Sequence, residues 1–210
     1  MSVSIREVAA AAGVSVGTVS NVLNRPEAVR AEPVEKVRAA IAKLGYVPNA
    51  AARQLRVGRS GSIGLIVLDI ANPFFTDVAR GAEREADEAH LSVLLANSGA
   101  SVVREDALLQ QFERQRVDGL LVSPIGEHLD KLRALVKRGL PVVLVDRGAD
   151  NRAVPSVSVD DARGGALAVE HLAAGGRKSI AVVGGQVRIH QIAERVRGAQ
   201  QAAFAAPGVG

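Results

Sequence analysis

Short polar side chains crowd one stretch near the start of the chain. In AAGVSVGTVSNVLNRPE, residues 10–26, Ser15, Thr18, Ser20, Asn21 and Asn24 stand among Val and Leu positions. None is a strong helix former, and a helix surface needing only solubility would more usually carry Glu and Lys. These neutral hydroxyls and amides suit hydrogen bonds to an outside partner, such as phosphate oxygens and base edges. A second set of groups leaves apolar runs. Asp69, Asn72, Phe74 and Phe75 follow Ile63–Leu68, and Asp146 and Arg147 follow Val142–Val145. Aromatic faces beside an acid, an amide and a guanidinium suit a sugar or nucleoside ring, apolar on its faces and hydroxylated at its edge. Taken alone, the same residues also fit Phe packing in a core and Asp146 capping a helix.

Other chemistries lack their residues. The chain has no Cys, hence no disulfide and no thiolate metal or redox site. His90, His128, His171 and His190 are scattered without ligand spacing. Neither G-x-G-x-x-G nor G-x-x-x-x-G-K-[ST] occurs, and no nucleophile–base pair is evident. The expectation is a non-enzyme without metal or cofactor. No apolar run approaches a membrane span, and MSVSIREVAAAAGVS carries Glu7 and no long apolar core. A soluble cytoplasmic protein is expected, with 48% hydrophobic residues in a 210-residue chain, enough for one full domain and a small one.

Charge divides the chain. Residues 1–60 hold nine Lys/Arg against four Asp/Glu, and residues 61–210 seventeen against eighteen. A basic head on a near-neutral body points to a polyanionic partner for the head.

The elements that would position these residues follow from periodicity. Ser4-Ile5-Arg6-Glu7 fits a capping box. Ile5, Val8, Ala9 and Ala12 then mark one buried stripe. Gly13-Val14 breaks that helix and Ser15 caps the next. There Val19, Val22 and Leu23 turn inward while Val16, Gly17, Ser20, Asn21 and Asn24 fall opposite. A third helix is expected from about Val34 to Leu44, stopped by Gly45. Together they read as a helix-turn-helix unit, with a plain three-helix packing module as the alternative. In the body, apolar runs at Ile63–Leu68, Val93–Leu95, Gly119–Val122, Val142–Val145, Val157–Val159 and Ile180–Val183 read as strands. Helical stretches near 75–89, 103–116, 128–138, 161–174 and 190–204 separate or follow them. This alternation predicts a doubly wound α/β fold on a parallel sheet, with ligands at the carboxyl ends of its strands.

Three segments sharpen the expectation: SIREVAAAAGVSVGTVSNVLNRPEAV, EKVRAAIAKLGYVPNAAARQLRVGRSGSIGLIV, and NPFF. They strongly resemble the lactose/galactose-repressor family of bacterial transcription regulators, from Ser4 to about Gly198. The resemblance implies a small all-α helix-turn-helix head (1–47), a hinge helix and linker (48–60), and a periplasmic-binding-protein-like core (61–210). The core's first lobe would run to about 160 and its second would begin at 161. Ser4 belongs to the matched DNA-binding head. By the same resemblance Ser15, Thr18, Ser20, Asn24 and Tyr46 would mainly meet phosphates, while Val16, Gly17 and Asn21 would read bases. Asn49, Ala52 and Leu55 would belong to the hinge helix, Leu55 wedging between base pairs in the minor groove. Asp69, Asn72, Phe74, Phe75, Asp146 and Arg147 would line an effector pocket, clamped by Arg195 from the second lobe. The implied function is a repressor, dimeric when intact. It would bind a pseudo-palindromic double-stranded operator and answer to a sugar or nucleoside.

Some positions depart from the family. Gly17 offers no side chain, and Asn21 stands where Arg is common, favouring adenine over guanine. Pro33 replaces a frequent Thr and offers neither hydroxyl nor N–H. The family core continues for well over a hundred further residues, whereas this chain ends at AQQAAFAAPGVG. A fragment, a truncated frame or a frameshifted end is therefore expected, with an incomplete core and impaired effector response.

Overall fold

A computed structural model describes residues 3–47, 60–125, 129–148 and 154–206. The chain divides into two compact units, Met1–Gly58 and Arg59–Gly210.

The first unit holds α1 (Ile5–Ala12), α2 (Val16–Asn24), a 3-10 turn (Pro26–Ala28) and α3 (Ala31–Leu44). At the start of α1 the Glu7 N–H donates to Ser4 Oγ (3.4 Å), and Ser4 N–H donates back to the Glu7 carboxylate (2.7 Å). Gly13, at φ 66°, ends the helix in a conformation that L side chains rarely adopt. Val8, Ala9, Ala12, Val19, Val22, Val37 and Ala40 make the core, with Leu23, Ile41, Leu44 and Tyr46 packed around it. The third helix begins at Ala31, three residues before the expected Val34. Pro33 therefore lies in its first turn, where N–H groups have no intrahelical acceptor and a missing donor costs little.

The second unit alternates strand and helix. It runs β1 (Ser62–Val67), α4 (Pro73–Glu88), β2 (Ser92–Asn97), α5 (Val102–Gln115), β3 (Gly119–Val122) and α6 (Asp130–Lys137). Then come β4 (Val142–Val145), β5 (Ser156–Val157), α7 (Asp161–Ala174) and α8 (His190–Ala205). The five strands form one parallel sheet in the order β2-β1-β3-β4-β5. Paired residues on parallel strands share a face. On one face Ile66, Leu120, Val122, Val142 and Leu144 pack against Leu109 and Phe112 of α5 and Leu132 and Leu135 of α6. On the other, Leu65 and Val67 pack against Phe75 and Ala79 of α4. Asp118 pins the entry to β1, its carboxylate accepting from the Ser60 and Gly61 N–H groups at 3.0 Å each.

One strand expectation shifts, since β5 covers Ser156–Val157 where Val157–Val159 was expected, and another fails. Ile180–Val183 is not a strand, and Val182 and Val183 are exposed. An apolar run becomes a strand only where a neighbour completes its hydrogen bonds, and among the described residues none pairs with it. Its flanking helices, α7 and α8, instead cross each other closely. A Cβ built on Gly165 would lie 2.0 Å from the Arg195 carbonyl oxygen, and one on Gly198 would lie 1.8 Å from that of Ala162.

Candidate nucleic-acid interface and ligand site

Helix α2 is amphipathic in an unusual chemical sense. Val19 and Val22 anchor it, while Ser15, Val16, Gly17, Asn21 and Asn24 are exposed and Thr18 and Ser20 half-buried. Ser15 Oγ accepts the Thr18 N–H at 3.1 Å and lies 2.9 Å from the Thr18 hydroxyl. The cap thus also orients a neighbouring hydroxyl. Asn24 donates its amide N–H to the Ser20 carbonyl, which leaves its amide oxygen available. The Asn21 side chain makes no hydrogen bond among the described residues. Ser4 is committed to the α1 capping box, its hydroxyl donating to Glu7 at 2.7 Å. Tyr46 packs half-buried on the head core. Asn49, Ala52 and Leu55 lie outside the described residues, as does His128.

In the core, polar groups gather at the carboxyl ends of the strands. Asp146 follows β4 at φ 56° and is 6% exposed. A non-glycine residue held in the left-handed region stores strain that its surroundings must enforce. Here its N–H donates to the Val157 carbonyl at 2.8 Å, and its own carbonyl accepts from Gln191 Nε2 of α8. Asp161, buried at the start of α7, accepts from Arg195 Nε at 2.6 Å. Burial, and then the nearby Asp161, push the Asp146 carboxyl up to about 6, against the smaller pull of Gln191 and Arg195. Arg147 is 3% exposed beside the buried Glu105, whose carboxylate accepts the Ile125 N–H at 2.9 Å. Burial holds Glu105 above its ordinary range. Ser123 Oγ, Asp146 Oδ1 and Gln191 Oε1 are buried with no hydrogen-bond partner among the described residues. Buried polar atoms are nearly always paired, so such orphans mark a place where an outside group is wanted.

The β1 end is arranged differently. Asp69 is exposed and accepts from the Ala71 N–H (3.0 Å), and Asn72 caps α4 by accepting from Phe74 N–H (3.1 Å). Phe74 and Phe75 meet edge to face with centroids 5.2 Å apart. Phe75 is buried in the core beside Leu65 and Val67, and Phe74 sits half-buried at that cluster's margin with Ile189. Among the described residues Asp146 caps no helix. The structure thus gathers Asp146 and Arg195 through Asp161 and Gln191, while Asp69 and Asn72 serve turns at a neighbouring strand end. Two grooves lie elsewhere, one of about 520 Å³ beside α4 and β2 and one of about 270 Å³ between α5 and α6. Charged pairs line the second, Lys131 with Asp106 and Arg138 with Glu113, so its charged groups already have partners.

Sequence reasoning missed Asp161, Gln191, Ser123 and Glu105. Asp160-Asp161 opening an apolar helical stretch was a visible acid pair, but it reads first as a helix start. Nothing local distinguishes Gln191, Ser123 or Glu105.

Among the described residues no helix is long and apolar enough to cross a membrane. Residues 4–49 match the model of bacterial regulatory proteins of the lacI family. Residues 60–209 match that of periplasmic binding proteins and the sugar binding domain of the LacI family. The HTH-type transcriptional regulator RegA of Clostridium saccharobutylicum is 34% identical over 88% of this chain and 55% of its own length. The ribose operon repressor of Bacillus subtilis is 37% identical over 93% of this chain and 59% of its own. The chain therefore spans little more than half the length of these relatives. A solved structure of the lac repressor dimer, bound to operator and the anti-inducer ONPF, superposes with a TM-score of 0.83 at 28% identity. That match covers 98% of this chain and 62% of the other. With a lacI-type helical head and a parallel α/β core each matched in order along the chain, this protein belongs to the LacI family of bacterial regulatory proteins.

Proposed function

We propose that this protein is a sequence-specific, DNA-binding transcription regulator, acting as a repressor, whose core takes a small sugar or nucleoside. The observation that carries it is the outward face of α2. There the Asn21 amide has no partner among the described residues, Val16 is exposed, and Gly17 leaves the backbone open to close approach, on a head with excess Lys and Arg. The head would span 1–47, the connecting segment 48–60, and the core 61–210, with a second lobe from 161. Ser15, Thr18, Ser20, Asn24 and Tyr46 would fix register on phosphates, with Val16, Gly17 and Asn21 reading bases. Leu55, with Asn49 and Ala52, would act in the minor groove. The ligand would meet Asp146, Arg147 and Arg195 at the carboxyl ends, with Phe74 at the margin. The name of the ribose operon repressor and the sugar-binding family model support the sugar class. The role is binding, not catalysis, and its place is the cytoplasm, where the chromosome is.

A two-fold dimer would bind a pseudo-palindrome, since protein symmetry is mirrored in the site. The test is selection from a randomised palindromic library followed by mobility shift at rising salt. Each neutralised phosphate releases counterions, so affinity should fall steeply between low and physiological salt. Affinity that hardly changes with salt, or a library that yields no preferred sequence, overturns the proposal.

A further inference from the structure

The contact between Asp146 and the α7–α8 pair joins two acids in a buried place. Asp146 sits on a strained turn leaving the sheet, and Asp161 opens α7. Two α8 residues face them: Gln191 grips the Asp146 carbonyl, and Arg195 binds Asp161. The Arg195 side chain is 56% exposed against 7% for Asp161, so its charge is largely shared with water. One half-solvated guanidinium thus stands against two carboxyls. On the sheet side the nearby charges are Arg147 and, beyond it, Glu105. Glu194 and Asp160 are engaged elsewhere, with Arg197 and the Arg163 N–H. Among the described residues Asp146 Oδ1 and Gln191 Oε1, both acceptors, have no hydrogen-bond partner. A proton on Asp146 would turn one orphan into a donor and remove the repulsion together.

We propose that Asp146 and Asp161 form a proton-controlled latch: α7 and α8 close on the carboxyl ends of the strands while the Asp146 carboxyl keeps its proton, and loosen when it ionises beside Asp161 and its Arg195 partner. A hydrogen-bond donor on a bound ligand would take the proton's place, and in that clause alone the inference rests on the ligand site proposed above.

Hydrogen exchange of the full chain without ligand tests it, read on peptides covering residues 186–200 and corrected for intrinsic exchange. With Asp146 at about 6 when closed and 3.8 when released, opening should increase about tenfold from pH 5 to pH 7.5. Asp146→Asn should abolish that pH dependence, and Asp161→Asn should shrink it. A wild-type chain whose protection is flat with pH, or a slope that persists in both variants, overturns the latch. Should Asp146→Asn fail to fold, the wild-type profile and Asp161→Asn still decide. Because no ligand is present, a negative result leaves the ligand site standing, while calorimetry with D-ribose and adenosine tests that site separately.

Discussion

Replacing Gly198 by Ala tests how closely α7 and α8 are pressed together. The added methyl would lie 1.8 Å from the Ala162 carbonyl oxygen and 2.6 Å from its carbon, whereas real Cβ contacts essentially never fall under 3.0 Å. The obstacle is backbone, which cannot swing aside as a long side chain would, so the helices must part by about an ångström. Overpacking of this kind costs typically ~1–3 kcal/mol, and a backbone clash belongs at the upper end. Alanine returns up to ~1 kcal/mol through its better helix propensity. The net expectation is a loss of about 2 kcal/mol. Gly164 supplies the internal control. It lies in α7 beside Gly165, but its added Cβ would meet nothing within 4 Å. Gly164→Ala should therefore be neutral or stabilising by up to ~1 kcal/mol. Gly165→Ala should resemble Gly198→Ala. The double variant should cost less than the sum, because helices already parted by one methyl accept the second more easily. Urea unfolding followed by far-ultraviolet circular dichroism measures all four. If Gly198→Ala is as stable as Gly164→Ala, the close crossing is not a feature of the protein in solution.

Core stability should fall as pH rises from about 4 to about 6. The folded Asp146 carboxyl is raised from 3.8 to about 6, so the folded state binds the extra proton and loses its advantage as that proton leaves. The total is up to ~3 kcal/mol at one pKa unit per 1.4 kcal/mol, complete above pH 6 and visible as a lower urea midpoint that Asp146→Asn lacks. Ser15→Ala removes the α2 cap and should cost ~1 kcal/mol of head stability by thermal melting. Asn21→Ala should lose ~1–3 kcal/mol of discrimination at one base position per half-site in library selection, whereas Thr18→Ala should weaken all sequences alike. Identical selection profiles for the two would refute the division of roles along α2. Glu105→Ala strands the buried Ile125 N–H and should cost ~1–3 kcal/mol in the same urea assay.

Local signals carried most of the fold. The capping box at Ser4 and Glu7, the Gly13 break and the Ser15 cap are each decided within a few residues, so the head helices were legible. The strands Gly119–Val122 and Val142–Val145 were legible because one face is buried and the other half-buried, which leaves an unbroken apolar run. Ile180–Val183 carries the same run, yet strand formation needs a partner, which periodicity alone does not reveal. The site divides likewise. Asp146 and Arg147 stood out by leaving a buried strand, but Asp161 and Gln191 join them only through the crossing of two helices. Their types also suit ordinary helix starts, so nothing in the letters marked them. Phe75 shows the opposite case: an aromatic beside polar groups that the packing of β1 and α4 draws into the core.

The Asp118 carboxylate that holds the Ser60 and Gly61 N–H groups is also the clasp of a ring. Asp118 stands at the entry to β3, and Ser60 and Gly61 stand at the entry to β1, its partner in the sheet. Asp118 follows Gly61 by 57 positions, so β1, α4, β2 and α5 all lie inside the ring that this one side chain closes. The entropy of closing a ring grows only slowly with its length, so a clasp this long costs little more than a short one. Asp118→Ala would leave two N–H groups without that acceptor where the sheet begins, and β1 would fray from that end inward.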